Sequence, residues 1–393
     1  HVDQLGDLGS KYNSENRRII LRDYYRPFLE AAKDSSIGNL VMNAVNQYGQ
    51  SQIADSPVDF LYTEVWSPNH GYRDLATIIL TNNFYGDNKL NTVLAAYVNY
   101  GKSSGTFNTP SVLFADAVIF ASGGAHLELG EHMLSHEYFP SSKLAMSKTL
   151  QSALINYYDF SVAYQNLLRD NVETNDYTLE SDTTILFTDW PPAQGQVWAF
   201  PRKKDNRYIF HLINFVDAPT MDWVDDNAAQ ITPSLIQNIP VHTEIDEQAT
   251  KVWIASPDFL EAVPVEVPFE QNGKTVSFSV PDLKYWTMVV IETDAPNSAE
   301  SDEEIGNNFK LYQNYPNPFN PNTTIRYSLK ESSNVKIKVF DSIGTLVDTL
   351  VDDVKAPGEY SVKFNASALA SGVYFYQFYT ASFIQIKKMM VLK

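Results

Sequence analysis

Two groups of side chains in this 393-residue sequence have the types and spacing of acid–base chemistry. The first is a set of carboxylates set beside glycines or apolar runs: Asp3 and Asp7 in HVDQLGDLG, and Glu64 at the end of VDFLYTE (58–64). Taken alone, Asp3 near the amino terminus reads as a solvated carboxylate and Asp7 as a helix or turn cap. Glu64 at the end of an apolar run reads equally well as structural or chemical. Asp59 precedes that run and belongs at its opposite end. The second group is GGAHLELGEHMLSHE (123–137), which carries three His and three Glu. His132 and His136 stand four apart, as in zinc proteases, but the Glu that should follow the first His is replaced by Met133. Metal catalysis is therefore not expected. His126 and Glu128 are read either as donors and acceptors for a polar ligand or as a network that holds their own loop.

Composition narrows the partners. A formal charge of −18 argues against nucleic acid or an anionic membrane surface, both of which need a positive footprint. No apolar run approaches the roughly 20 residues of a membrane-spanning helix. There is no Cys, and no GxGxxG or Walker A loop, so no thiolate chemistry and no nucleotide cofactor is expected. A neutral polymer or small molecule remains as substrate or ligand.

The elements that must position these residues fall into three compositional regions. Up to about residue 180, apolar runs NLVMNAVN (39–46), VDFLYTE, VLAAYVN (93–99) and AVIFA (117–121) read as strands. Between them SENRRIILRDYYRPFLEAAK, YRDLATIILTNNF and MSKTLQSALINYYDFSVAYQNLLRD carry helical spacing. In the last of these, Tyr157, Tyr158, Phe160 and Tyr164 form the expected buried face. Strands alternating with helices predict a parallel sheet, and four such units amount to half of a (β/α)8 TIM barrel. Residues 181–294 change to short alternating segments such as QVWAF, RYIFHLINF, KVWIA and TMVVIE, which predict an antiparallel β-sandwich. An acidic stretch at 295–306 has the composition of a linker, and 307–393 predicts a small immunoglobulin-like β-sandwich.

That last module carries LYQNYPNPFNP (311–321), then VFDSIGTLV, APGEYSV, SGVYFYQF (371–378) and a closing KKMMVLK. It resembles the C-terminal sorting domain of the type IX secretion system of Bacteroidetes and related bacteria. The prolines hold an extended entry strand, which Tyr315 and Phe319 can pin to the sandwich. The resemblance implies recognition of 307–393 by the secretion machinery, export across the outer membrane, and a secreted or cell-surface product.

The stretches HVDQLGDLG, VDFLYTEVW, LAAYVNY, ADAVIFASGGAHLELGEHMLSHEYFP and YYDFSVAYQNLLRD resemble glycoside hydrolase family 66, the dextranases and cycloisomaltooligosaccharide glucanotransferases. The resemblance spans residues 1–290. It implies a catalytic pair at the carboxyl ends of the fourth and sixth barrel strands. With the runs at 39–46 and 58–64 as strands five and six, Asp3 lies just past strand four and Glu64 ends strand six. The first four strands are then expected upstream of His1, and the chain alone is expected to be inactive.

On this reading Asp3 is the nucleophile of a retaining glycosidase. Glu64, shielded by Trp66 and Tyr62, is the proton donor and later the base. The substrate is dextran, cleaved internally at α-1,6 linkages, and no cofactor is needed. Trp66, Tyr97, Tyr48 and Tyr100 lie at or beyond strand ends, where their faces can stack on pyranose rings. Asn46, Asn99, His126 and Glu128 are placed to bond sugar hydroxyls. The resemblance leaves glucanotransferase activity as the alternative; those transferases carry a binding module inserted late in the barrel, for which the gap after Asn99 has no room. A non-catalytic surface glucan-binding protein is a third possibility.

Overall fold

Two of the four apolar runs expected as strands form them directly. In a computed structural model of the chain, Leu61–Glu64 (β1) and Thr92–Ala95 (β2) pair in parallel, with Glu64 opposite Ala95. The residues described are 11–35, 38–128, 135, 144–170, 172–259, 263–294, 309–312, 314, 319–329, 331–341, 346–370, 372–380 and 384–391. The run at 39–46 joins the sheet through a parallel bridge between Asn43 and Tyr62, and the Ala44 amide donates to the Tyr62 carbonyl at 3.0 Å. Helices Tyr25–Asp34 (α1), Tyr72–Tyr85 (α2), Thr109–Ala121 (α3) and Lys148–Ala163 (α4) match the helical spacings, apart from α3.

The α3 helix corrects the reading of AVIFA as a strand. Asn108 caps the helix, Pro110 sits in its first turn, and every residue from Ser111 to Ala121 is buried. The helix packs against α2, α4 and the strand that follows it, and its Phe114 ring stacks on Phe215 of the sandwich. A helix covered all round has no polar face, so its sequence loses the 3.6-residue rhythm and looks like a buried strand. The actual strand is Gly124–His126 (β3), which pairs with β2 so that His126 lies opposite Leu94. Two glycines let β3 start there. Gly123 turns with φ +87°, and a Cβ on Gly124 would stand 2.7 Å from Ile79 Cδ1.

No helix interrupts 181–294 among the described residues. Strands Val197–Lys204 (β4), Arg207–Asn214 (β5), Ala249–Ala255 (β7) and Trp286–Thr293 (β9) form the body of a seven-stranded sheet, and Ile236–Glu244 (β6) and Thr275–Leu283 (β8) belong to a three-stranded one. Side chains alternate along β8, with Val276, Phe278 and Val280 buried between exposed neighbours, because only one face meets the partner sheet. Along β5 nearly every residue is buried, because its second face carries α3. Trp198, Trp286 and Phe200 therefore sit in the same apolar cluster as α3 and α4, and His1–Ser301 form a single compact unit.

Asp302–Lys393 form the second compact unit. It contains Asn322–Leu329 (β10), Ser333–Asp341 (β11), Leu346–Lys355 (β12), Gly358–Asn365 (β13), Gly372–Tyr379 (β14) and Ile384–Val391 (β15), in sheets of three and four strands counting Phe309–Leu311. Phe319 is buried against Phe364 and bridges to Val391, so this end of the proline-rich entry is tied down, while Tyr315 lies outside the described residues. The protein is thus multidomain and β-rich. No helix among the described residues is long and apolar enough to cross a membrane.

Candidate active site

Glu64 is the last residue of β1, where an alternating strand turns its carboxylate out beyond the sheet. Two side chains hold it. The Tyr97 hydroxyl donates to Glu64 Oε1, and Asn43 Nδ2 donates to Oε2 at 3.2 Å. Asn43 also accepts from the Glu64 amide at 3.3 Å, so one amide side chain fixes both the backbone and the carboxylate of the same residue. Asn43 was not singled out from sequence; the signal was a buried Asn inside the apolar run NLVMNAVN. Asp59 stands at the other end of β1, paired with Lys33 at 3.1 Å. Its pKa is lowered chiefly by the hydrogen bond from the Leu40 amide.

Aromatic rings border the carboxylate. Trp66 lies 4.9 Å from Tyr97 and 5.3 Å from Tyr100, centroid to centroid, and the Trp66–Tyr100 pair is edge-to-face. Asn46 sets the position of Trp66. With φ +48° it aims Oδ1 at the Trp66 amide, 2.7 Å away, and donates Nδ2 to the Ser67 carbonyl at 2.9 Å. Glu64, Trp66, Tyr97, Tyr100 and Asn46 are thus brought together at one end of the sheet.

Four other expected ligand residues are engaged by protein partners. Tyr48 packs edge-on against Tyr25 and under Arg22, in the apolar cluster around Leu29 rather than with Trp66. Asn99 is fully buried and spends its amide on the Asp225 carbonyl at 2.8 Å and the Asn108 amide at 2.8 Å, so it joins the strand end to the 223–230 segment. His126 and Glu128 are not in an open loop, because the strand begins later than expected. Their side chains are 1 % and 8 % exposed.

His126 and Glu128 meet Asp116, which α3 presents from its middle. His126 Nδ1 lies 2.7 Å from Asp116 Oδ1, and Nε2 lies 2.8 Å from the Ala96 carbonyl. Both partners are acceptors, so both ring nitrogens carry hydrogen. Burial opposes that charge, but the hydrogen bond and charge of Asp116, aided by Glu128, outweigh it and raise the His126 pKa to about 9. Burial, followed by the charge of Asp116, pushes Glu128 up to about 8. The three side chains bring potential cation ligands within 4.8 Å of one another, but the ring nitrogens are already committed to Asp116 and Ala96. Asp116 was missed from sequence, although a lone carboxylate inside VLFADAVIF was its signal.

Asp3 and Asp7 lie outside the described residues, as do His132 and His136.

A family model described as Glycosyl hydrolase family 66 matches residues 1–290, and one described as Secretion system C-terminal sorting domain matches residues 313–392. A cycloisomaltooligosaccharide glucanotransferase from Niallia circulans is 34 % identical over 439 aligned residues, covering 74 % of this chain and 45 % of that protein. A dextranase from Streptococcus salivarius is 24 % identical, covering 81 % of this chain and 46 % of that protein. The chain spans about half the length of the curated relatives it matches. The crystal structure of a Paenibacillus sp. cycloisomaltooligosaccharide glucanotransferase complexed with cycloisomaltoheptaose shares the fold, with a TM-score of 0.68 at 22 % identity over 74 % of this chain and 62 % of that one.

Proposed function

The chain belongs to glycosyl hydrolase family 66, and from that membership we propose that it is a retaining endo-dextranase acting on internal α-1,6-glucosidic linkages. Its C-terminal module is a type IX sorting domain, which marks the chain for export to the cell surface or beyond. On this reading residues 41–126 supply strands five to eight of a (β/α)8 barrel, whose carboxyl rim is where barrel enzymes hold their chemistry, and Asp3 and Glu64 are assigned as the catalytic pair. Asp3 attacks the anomeric carbon while Glu64 gives its proton to the departing glycosidic oxygen. Glu64 then takes a proton from the water that cleaves the glycosyl ester, and the two inversions give net retention.

One observation carries the reading. Glu64 is held at both oxygens by Tyr97 and Asn43, beside a group of three aromatic rings at a strand end. That is a fixed carboxyl group next to a surface suited to stacked pyranose rings. Trp66, Tyr97 and Asn46 are assigned to that surface, Asn46 through its hold on Trp66.

The transferase reading draws on the higher identity to a glucanotransferase. Against it, that alignment is longer than this whole chain, so the transferase carries insertions that this chain lacks. Only residues 100–108 separate Asn99 from α3, which leaves no space for an inserted module. Digestion of dextran should therefore release linear isomaltooligosaccharides; cyclic glucans as the main product would favour the transferase.

Azide rescue tests the two roles. With an activated α-glucoside, E64A plus azide should yield the α-glucosyl azide, because azide replaces water at the covalent intermediate. D3A plus azide should yield the β-azide by a single displacement. Any other pairing of variant and anomer overturns the assignment.

A further inference from the structure

Behind Glu64 lies a brace that no substrate can touch. His126 is 5 % exposed and Asp116 fully buried. The brace starts on α3, where Asp116 holds His126 Nδ1 at 2.7 Å. The ring crosses to β2's outgoing chain and donates Nε2–H to the Ala96 carbonyl at 2.8 Å. Ala96 is followed directly by Tyr97, whose hydroxyl donates to Glu64. On the far side, Tyr158 from α4 donates to the His126 carbonyl at 2.8 Å, and Leu127 packs against the Tyr97 ring group. The peptide that aims Tyr97 is thus anchored by side chains from two helices and one strand.

We propose that His126 is a positioning residue for the proton donor: the Asp116–His126–Ala96 brace fixes where Tyr97 presents its hydroxyl to Glu64. The inference rests on the reading of Glu64 as acid and base. A buried carboxylate within an otherwise apolar helix carries a desolvation cost that packing alone would not select, since an apolar residue would fill the space as well. At 2.7 Å it meets the ring that grips the Ala96 carbonyl, and it also bonds the Glu128 carboxyl group. The network reaches the Ala96 carbonyl, one residue before Tyr97.

The geometry separates two substitutions. His126→Gln extends its amide nitrogen toward the position of Nε2 and keeps a donor for Ala96. His126→Asn places its amide nitrogen near Nδ1, keeps Asp116 satisfied and releases Ala96. In dextran-hydrolysing enzyme that includes these residues, H126N should lower kcat about 10- to 100-fold, the scale of a misplaced catalytic contact, with KM changed less than about threefold. H126Q should lose clearly less.

A double-mutant cycle with Tyr97→Phe gives the decisive readout. If the brace acts through Tyr97, H126N should cost little once Tyr97 is Phe, so the two losses will not multiply. Independent, multiplying losses, equal effects of Asn and Gln, or a change in KM alone would each overturn the proposal. Should H126N fail to fold, Asp116→Asn carries the same cycle, because it loosens the ring while leaving Ala96 within reach. Full turnover by E64Q would remove the underlying reading of Glu64; multiplying losses alongside an inactive E64Q would remove the brace alone.

Discussion

On the proposed reading Glu64 carries the chemistry, held at both oxygens by Tyr97 and Asn43, and changing it or its neighbours should separate binding from catalysis. Glu64→Gln keeps the hydrogen bonds' shape but has no proton to give, and should lower kcat on dextran by about 10²- to 10⁴-fold, as measured by reducing-sugar release. Trp66→Ala should act mainly on KM, since its ring offers stacking and no proton. Titration follows the buried groups. His126 (about 9), Glu128 (about 8) and Asp176 (about 7) all hold protons more tightly folded than unfolded. Each therefore stabilises the fold fully below its unfolded pKa, and that contribution is lost as pH rises through the folded value. Urea unfolding followed by Trp fluorescence should show stability falling between pH 6.5 and 9, because the His126 contribution disappears across that interval. The H126Q variant should have a shallower fall, and an equal slope in both proteins would contradict the assignment. His211 works in the opposite sense. Burial lowers its pKa to about 3, so its contribution is present above its unfolded value of 6.5 and lost as pH falls toward 3.

At the scale of elements, α3 joins the parallel sheet to the sandwich. Phe114 is fully buried and packs within 5.2 Å of both Phe215 and Tyr285, ring centre to ring centre. Phe114→Ala should cost about 3–5 kcal/mol of unfolding free energy, measured in urea, as for large buried rings elsewhere. A loss below about 1 kcal/mol would mean that α3 is not the joint. This same helix marks where sequence reading failed. Strands β1 and β2 were legible because one of their sides meets helices and turn residues bound them. AVIFA was not legible, since a helix buried on all sides and a buried strand look alike over five residues. The misplaced strand moved His126 and Glu128 from a loop into the core, and with them the expected sugar contacts. The burial of Asn99 was hidden for a different reason: one of its partners is the Asp225 carbonyl, and no local pattern reveals a hydrogen bond across more than a hundred residues. The place of Glu64 at a strand end was legible because the apolar run before it reads as a strand. Asn43 was not, since nothing in the run separates it from Asn46.

For the molecule as a whole, the cores of the two units contain different residues, and all six Trp lie before residue 294. Deleting 307–393 should leave the Trp-monitored unfolding transition within about 0.5 kcal/mol of the intact chain, while abolishing delivery to the cell surface in a host with the type IX system. Retained delivery would separate the sorting module from export. The charge of −18 disfavours nucleic acid and suits the neutral substrate proposed above, which needs no electrostatic steering. Asp3 and Glu64 are proposed to act as a pair across one glycosidic bond, as a retaining mechanism requires. Peptide mapping after reaction with a slow fluorinated α-glucosyl substrate tests this most directly. The account expects a single glucosyl ester on Asp3 that accumulates further in E64A. An ester on Asp7 or on any other carboxylate, or no ester together with inverted product, would contradict it.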